Sequence, residues 1–109
     1  MINFNGELLQ ENEATLSITN RGYAYGDSVF ETIRVINGKV MFWEDHYFRL
    51  MASMRIMRME IPNEFSPEFL EEQIINLIKE NNLQDKPVRV KFSVFRKEGG
   101  LYTPEVRDI

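Results

Sequence analysis

An α+β domain, built as a small, mainly antiparallel sheet with two main helices packed on it, is the expectation from three features of the 109-residue sequence. Residues 28–42 carry the strongest hairpin signal, two β-prone segments around Asn37-Gly38. Two later segments repeat apolar residues at helical spacing, and residues 88–95 alternate as a strand with one buried face does. A chain of 109 residues supplies one core, so residues 1–109 are read as a single domain. That is below the usual length of a complete small-molecule enzyme.

Before residue 20 the sequence consists of short apolar pieces broken by Asn5-Gly6 and by the polar run Gln10 to Glu13. This pattern suits strands at Ile2 to Phe4, at Glu7 to Leu9 and around Ser17. Asn20 to Asp27 has two glycines and no periodicity, and is read as an ordered loop. Ser28 to Ile36 is rich in β-branched residues, and Asn37-Gly38 tolerates the positive φ of a type I′ turn before a second strand, Lys39 to Phe42.

Glu44 and Asp45 favour a helix start, because negative charge in a first turn complements the helix dipole. Tyr47, Leu50, Met51, Met54 and Met57 then form a core-facing stripe, and the helix fails before Pro62. Ser66 as N-cap, Pro67 at the first helical position and Glu68 just inside open the second helix. Leu70, Ile74, Leu77 and Ile78 repeat along its buried face, and Asn81-Asn82 end it. In the last strand Val88, Val90, Phe92 and Val94 share one face, with Arg89, Lys91, Ser93 and Phe95 on the other. From Gly99-Gly100 to Ile109 the sequence reads as a loop.

Composition excludes several function classes. A net charge of -4 and a pI near 5.0 argue against recognition of a nucleic-acid backbone, which needs clustered Lys and Arg. The Arg55 and Arg58 pair is too small to reverse that. The absence of cysteine removes disulfides and thiolate metal sites, and a single histidine cannot anchor a typical zinc site. With no signal sequence at its start and no apolar run near the about 20 residues of a membrane span, the expected location is cytoplasmic.

His46, Arg49 and Ser53, at i, i+3 and i+7, share a helix face away from the apolar stripe. An arginine there can present its planar fork to phosphate or carboxylate, with Ser53 and glycine-loop amides as further donors. The same spacing equally fits a solvated arginine or a surface ion pair. His46 reads as a hydrogen-bonded structural residue rather than a general base. Tyr23 and Tyr25 suit a pocket lining, Gly22 and Gly26 suit turns, and Glu31 with Arg34 suits a cross-strand or interface pair.

Taken together, Arg21-Gly-Tyr-Ala-Tyr-Gly-Asp-Ser-Val-Phe-Glu-Thr-Ile-Arg34, the Asn37-Gly38 hairpin and His46-x-x-Arg49-Leu50-x-x-Ser53 resemble the amino-terminal part of class IV aminotransferases. These are the fold-type IV pyridoxal 5'-phosphate (PLP) enzymes, which include branched-chain aminotransferases, D-amino acid aminotransferases and aminodeoxychorismate lyases. The likeness spans nearly the whole chain and is most specific in its first half; Phe95 to Gly100 fits more loosely. It implies that Arg49 binds the PLP phosphate and that Tyr25, Phe30, Thr32 and Arg34 line or support the substrate side. D-amino acid aminotransferases carry a tyrosine at the position of Phe30, so the resemblance leans toward the branched-chain and aminodeoxychorismate lyase branches.

PLP chemistry also needs a lysine to form the internal Schiff base and move the proton. The resemblance places it in a larger carboxy-terminal domain, and none of Lys39, Lys79, Lys86, Lys91 and Lys97 stands in its context. No residue of this chain is therefore assigned a catalytic role. The implied protein is a homodimeric transaminase acting on an amino acid and a 2-oxo acid, or a lyase eliminating pyruvate from aminodeoxychorismate, of which this chain is an inactive small domain. The competing expectation is a noncatalytic, self-associating α+β module.

Overall fold

The computed structural model describes residues 1–97 and 107–109; the loop read after Gly99-Gly100 falls mostly outside them. Eight elements follow in order: β1 (Ile2–Phe4), β2 (Glu7–Leu9), α1 (Arg21–Tyr25), β3 (Ser28–Ile36), β4 (Lys39–Val40), α2 (Trp43–Ile56), α3 (Pro67–Glu80) and β5 (Val88–Phe95). The mixed α+β class and the antiparallel pairing are as expected.

The central sheet runs β4-β3-β5, with β3 antiparallel to both neighbours. Its register pairs Ser28 with Phe95 and Val35 with Val88, so the alternation of two distant segments combines into two distinct faces. Ile33, Val35 and Val94 are buried on the inner face. The outer face carries Phe30, Thr32 and Arg34 opposite Ser93, Lys91 and Arg89.

Both long helices pack their apolar stripes into the core beneath the inner face. From α2 come Trp43, Tyr47, Leu50, Met51 and Met54; from α3 come Leu70, Ile74 and Ile78. Two polar ends of aromatic rings are satisfied across the helix connection, Trp43 Nε1 donating to the Pro67 carbonyl at 2.9 Å and Tyr47 Oη to that of Phe65 at 2.5 Å. Ser66 caps α3 as read, its hydroxyl accepting from the Phe69 amide at 3.1 Å. The β1-β2 hairpin, a separate two-stranded sheet, is tied to α3 by Asn3 Nδ2 donating to Gln73 Oε1 at 2.8 Å.

Three local expectations are corrected. No strand forms around Ser17: its hydroxyl meets the Thr19 hydroxyl at 2.7 Å and accepts from the Thr19 amide, a local side-chain bond that competes with strand pairing. The Asn20 to Asp27 loop contains α1, a single turn capped by the Asn20 side chain, which accepts from the Gly22 amide, and closed by Gly26 at φ 67. Finally, β4 stops at Val40 rather than Phe42. Phe42 takes a left-handed φ of 54, turns the chain and becomes the N-cap of a helix that starts at Trp43. Met57, read as part of the stripe, is half-buried at the C-cap.

Candidate functional site

Glu31 lies on the inner face of β3, the face that also buries Ile33 and Val35. A carboxylate drawn out of water there is costly unless it is paired and hydrogen-bonded. The first two turns of α2 supply the partners. Arg49 donates from Nε to both Glu31 oxygens at 3.1 Å and from Nη2 to Oε1 at 2.8 Å, and His46 Nδ1 reaches Oε1 at 2.7 Å.

An ionised carboxylate only accepts, so the short contact fixes the proton on His46 Nδ1. The 3.2 Å approach of Arg49 Nη2 to the same nitrogen is then two donors converging on one oxygen. The Arg49 bonds hold the Glu31 carboxyl below its ordinary pKa, against the opposing effect of burial, with His46 adding in the same direction. Glu31 in turn raises the Arg49 guanidinium above its already high value.

The asymmetry of the pair matters chemically. The Glu31 side chain is 10% exposed and that of Arg49 is 59% exposed. Glu31 engages Nε and Nη2, leaving Nη1 with no partner among the described residues. A buried acid thus holds an arginine whose outer donors face solvent, an arrangement suited to a phosphate or carboxylate. Ser53 stands one turn further along the same side of α2, half-buried.

Glu31 and Arg34 do not pair with one another: three residues apart on a strand, they point to opposite faces. Arg34 stands on the outer face directly opposite Arg89, and Thr32 opposite Lys91, whose ammonium sits 4.9 Å from the Phe30 ring centre. Phe30, Thr32, Arg34, Arg89 and Lys91 are all exposed or half-exposed, a cationic surface with one aromatic edge. Of the residues read from the sequence, Phe30, Thr32 and Arg34 therefore come together, while Arg49 lies on the other side of β3. Arg89 and Lys91 were legible only as the polar half of an alternation, because their neighbours are set by register.

Tyr23 and Tyr25 are largely exposed on α1. The Arg21 guanidinium lies 4.6 Å from the Tyr25 ring centre. Beneath α1, Asp27 Oδ2 accepts from Arg21 Nε at 3.0 Å and from Arg96 Nε at 2.6 Å, and Arg96 Nη2 also donates to the Met57 carbonyl. All three side chains are buried, so this cluster joins α1, β3, β5 and the end of α2. Asp27 Oδ1 has no partner among the described residues. All five lysines are exposed, and no group of three or more metal-ligating side chains occurs among the described residues.

Comparison with known proteins places the chain in a family. Residues 28–108 match the family model "Amino-transferase class IV". A D-alanine aminotransferase of Listeria monocytogenes serotype 1/2a (strain 10403S) is 39% identical over 79 residues, 72% of this chain and 27% of that protein. The branched-chain amino acid aminotransferase of Escherichia coli superimposes with a TM-score of 0.80 at 28% identity, over 92% of this chain and 33% of that one. A Legionella pneumophila structure named for 4-amino-4-deoxychorismate lyase gives a TM-score of 0.69 at 30% identity, over 81% and 31% of the two chains. This chain spans about a third or less of the length of each of these relatives. With its fold and its sequence match in accord, the chain belongs to the class IV aminotransferase family.

Proposed function

We propose that residues 1–109 are the amino-terminal small domain of a PLP-dependent enzyme that moves an amino group between an amino acid and a 2-oxo acid. The observation that carries this reading is the fork of Arg49, held by Glu31 at Nε and Nη2 with its remaining donors outward. Those donors suit the PLP phosphate, with the Ser53 hydroxyl as an additional donor. When bound, PLP supplies the electron sink for bond breaking at the substrate α-carbon. The contribution of this chain is to bind and orient: Arg49 fixes the phosphate end, and Glu31 keeps the guanidinium aimed.

Tyr25, Phe30, Thr32 and Arg34 form the substrate side in this reading. The Arg34-Arg89 opposition supports it, since two like charges placed across a strand pair are unfavourable unless an anion bridges them. A substrate carboxylate meets that need. Phe30 lacks the hydroxyl expected of a D-amino acid enzyme, which favours an L-amino acid with a branched apolar side chain, even though curated relatives bear the name D-alanine aminotransferase. The same phenylalanine and the Legionella likeness also suit pyruvate elimination from aminodeoxychorismate.

In the enzyme that includes this domain, Arg49→Met is expected to weaken PLP binding by about 10- to 100-fold, the effect of removing charge-assisted hydrogen bonds. Cofactor titration followed by absorbance measures this, and an unchanged affinity refutes the assignment. Parallel assays with branched-chain amino acids, D-alanine and aminodeoxychorismate choose the branch. The 109-residue chain alone is expected to give neither turnover nor the visible band of lysine-bound PLP, because each of its lysines is a solvated surface group.

A further inference from the structure

The two oxygens of Glu31 are held unequally. Among the described residues, Oε1 accepts from His46 Nδ1 at 2.7 Å, from Arg49 Nη2 at 2.8 Å and from Arg49 Nε at 3.1 Å, whereas Oε2 accepts only from Arg49 Nε, at 3.1 Å. Of the two donor residues the histidine is the better fixed. Its side chain is 15% exposed against 59% for Arg49, and it stands in the first turn of α2 immediately before buried Tyr47. Its amide donates to the Phe42 carbonyl at 3.0 Å, so the helix start holds its backbone as well.

A carboxylate can meet a guanidinium along its Nε-Nη2 edge or across its Nη1-Nη2 end. The end-on pairing occupies both outer nitrogens and leaves no fork for an anion. A second acid also competes: Asp45, exposed and four residues before Arg49 on α2, has the spacing of a helical ion pair and acts on the guanidinium through space. Arg49 can therefore lose its outward donors in two ways, by Glu31 turning end-on or by the arginine swinging to Asp45. A further bond to Oε1, from a ring fixed in the helix, prevents the first. By keeping the carboxylate against Nε it also opposes the second.

We propose that His46 is a positioning residue for Arg49: its Nδ1 proton pins Glu31 Oε1, Glu31 then takes only the Nε-Nη2 edge, and Nη1 is kept for the phosphate. His46 touches neither cofactor nor substrate in this role. The inference rests on the reading of Arg49 as the PLP-phosphate ligand.

PLP titration of the enzyme that includes this domain, followed by absorbance, tests it. His46→Leu, which removes the donor, is expected to weaken PLP binding by about tenfold, as loss of a hydrogen bond to a charged group does. His46→Asn sets an amide nitrogen where Nδ1 stands and is expected to restore most of that loss. His46→Gln sets its amide where the other ring nitrogen stands and is expected to behave like His46→Leu. Because His46 acts through Arg49, adding His46→Leu to Arg49→Met is expected to leave the affinity where Arg49→Met alone puts it. Circular dichroism confirms that each variant is folded. Unchanged affinity in His46→Leu, no rescue by His46→Asn, or a further loss in the Arg49→Met background overturns the proposal while the cofactor reading stands. Unchanged affinity in Arg49→Met overturns both.

Discussion

Glu31 shows how one side chain links the sheet to the site. Because its folded pKa is lowered, chiefly by Arg49, its ionised form stabilises the native state above its unfolded pKa, and that stabilisation is lost as pH falls through the folded value. Glu31→Gln removes charge-assisted bonds from a buried position and is expected to cost about 1.5–3 kcal/mol at pH 7. The gap between variant and wild type should narrow below about pH 4, as the wild-type carboxylate protonates. Urea midpoints measured between pH 3 and pH 7 check both the size and the sign; a gap that is constant or widens towards acid contradicts the network. The sequence disclosed His46 and Arg49 as a shared helix face, since spacing alone determines that. It did not disclose Glu31 as their partner, which sits 15 and 18 residues earlier on a different element.

At the scale of elements, boundaries were legible where chemistry is local and obscure where a turn depends on packing. Ser66-Pro67-Glu68 announced α3 because capping is decided within a few residues. The Asn20 cap and Gly26 closure of α1 carried the same kind of signal, but a five-residue helix has no hydrophobic period to reveal it. Gly22, read as a turn residue, is needed for a different reason: a Cβ there would stand 1.9 Å from Phe95 Cδ1. Gly22→Ala must displace that ring, and is expected to cost about 1–3 kcal/mol by overpacking. Paired with Phe95→Leu, it should recover part of the loss in a denaturant titration; equal losses with and without Phe95→Leu would refute the steric account.

Across the whole molecule, the Asp27 cluster clasps α1 and the start of β3 to the distant end of α2 and of β5. Arg96→Met leaves Asp27 with half of its ion pairing and the Met57 carbonyl without its guanidinium donor. Removing one partner of a buried pair is expected to cost about 3–5 kcal/mol, a large share of the about 5–15 kcal/mol that holds a typical domain together. Replacing Asp27 as well, by Asn, is expected to add to that loss, because it removes the carboxylate to which buried Arg21 still donates. Thermal denaturation of the single and double variants measures the difference, and a double variant as stable as Arg96→Met, or more stable, rejects this account.

What the sequence determined by itself is the set of elements and the family they resemble: the hairpin at Asn37-Gly38, the two apolar helix stripes, the alternation of β5 and the His46-Arg49 spacing. Each depends on interactions spanning a few residues, where backbone geometry and residue type suffice. Tertiary structure alone decided the strand register that sets Arg34 against Arg89, the choice of Glu31 as the anchor of Arg49, and the joining of Asp27 to Arg96 across 69 residues. Those contacts exist because burying the shared core fixes where distant segments meet, and a buried charge must then find its partner among whatever the packing brings near.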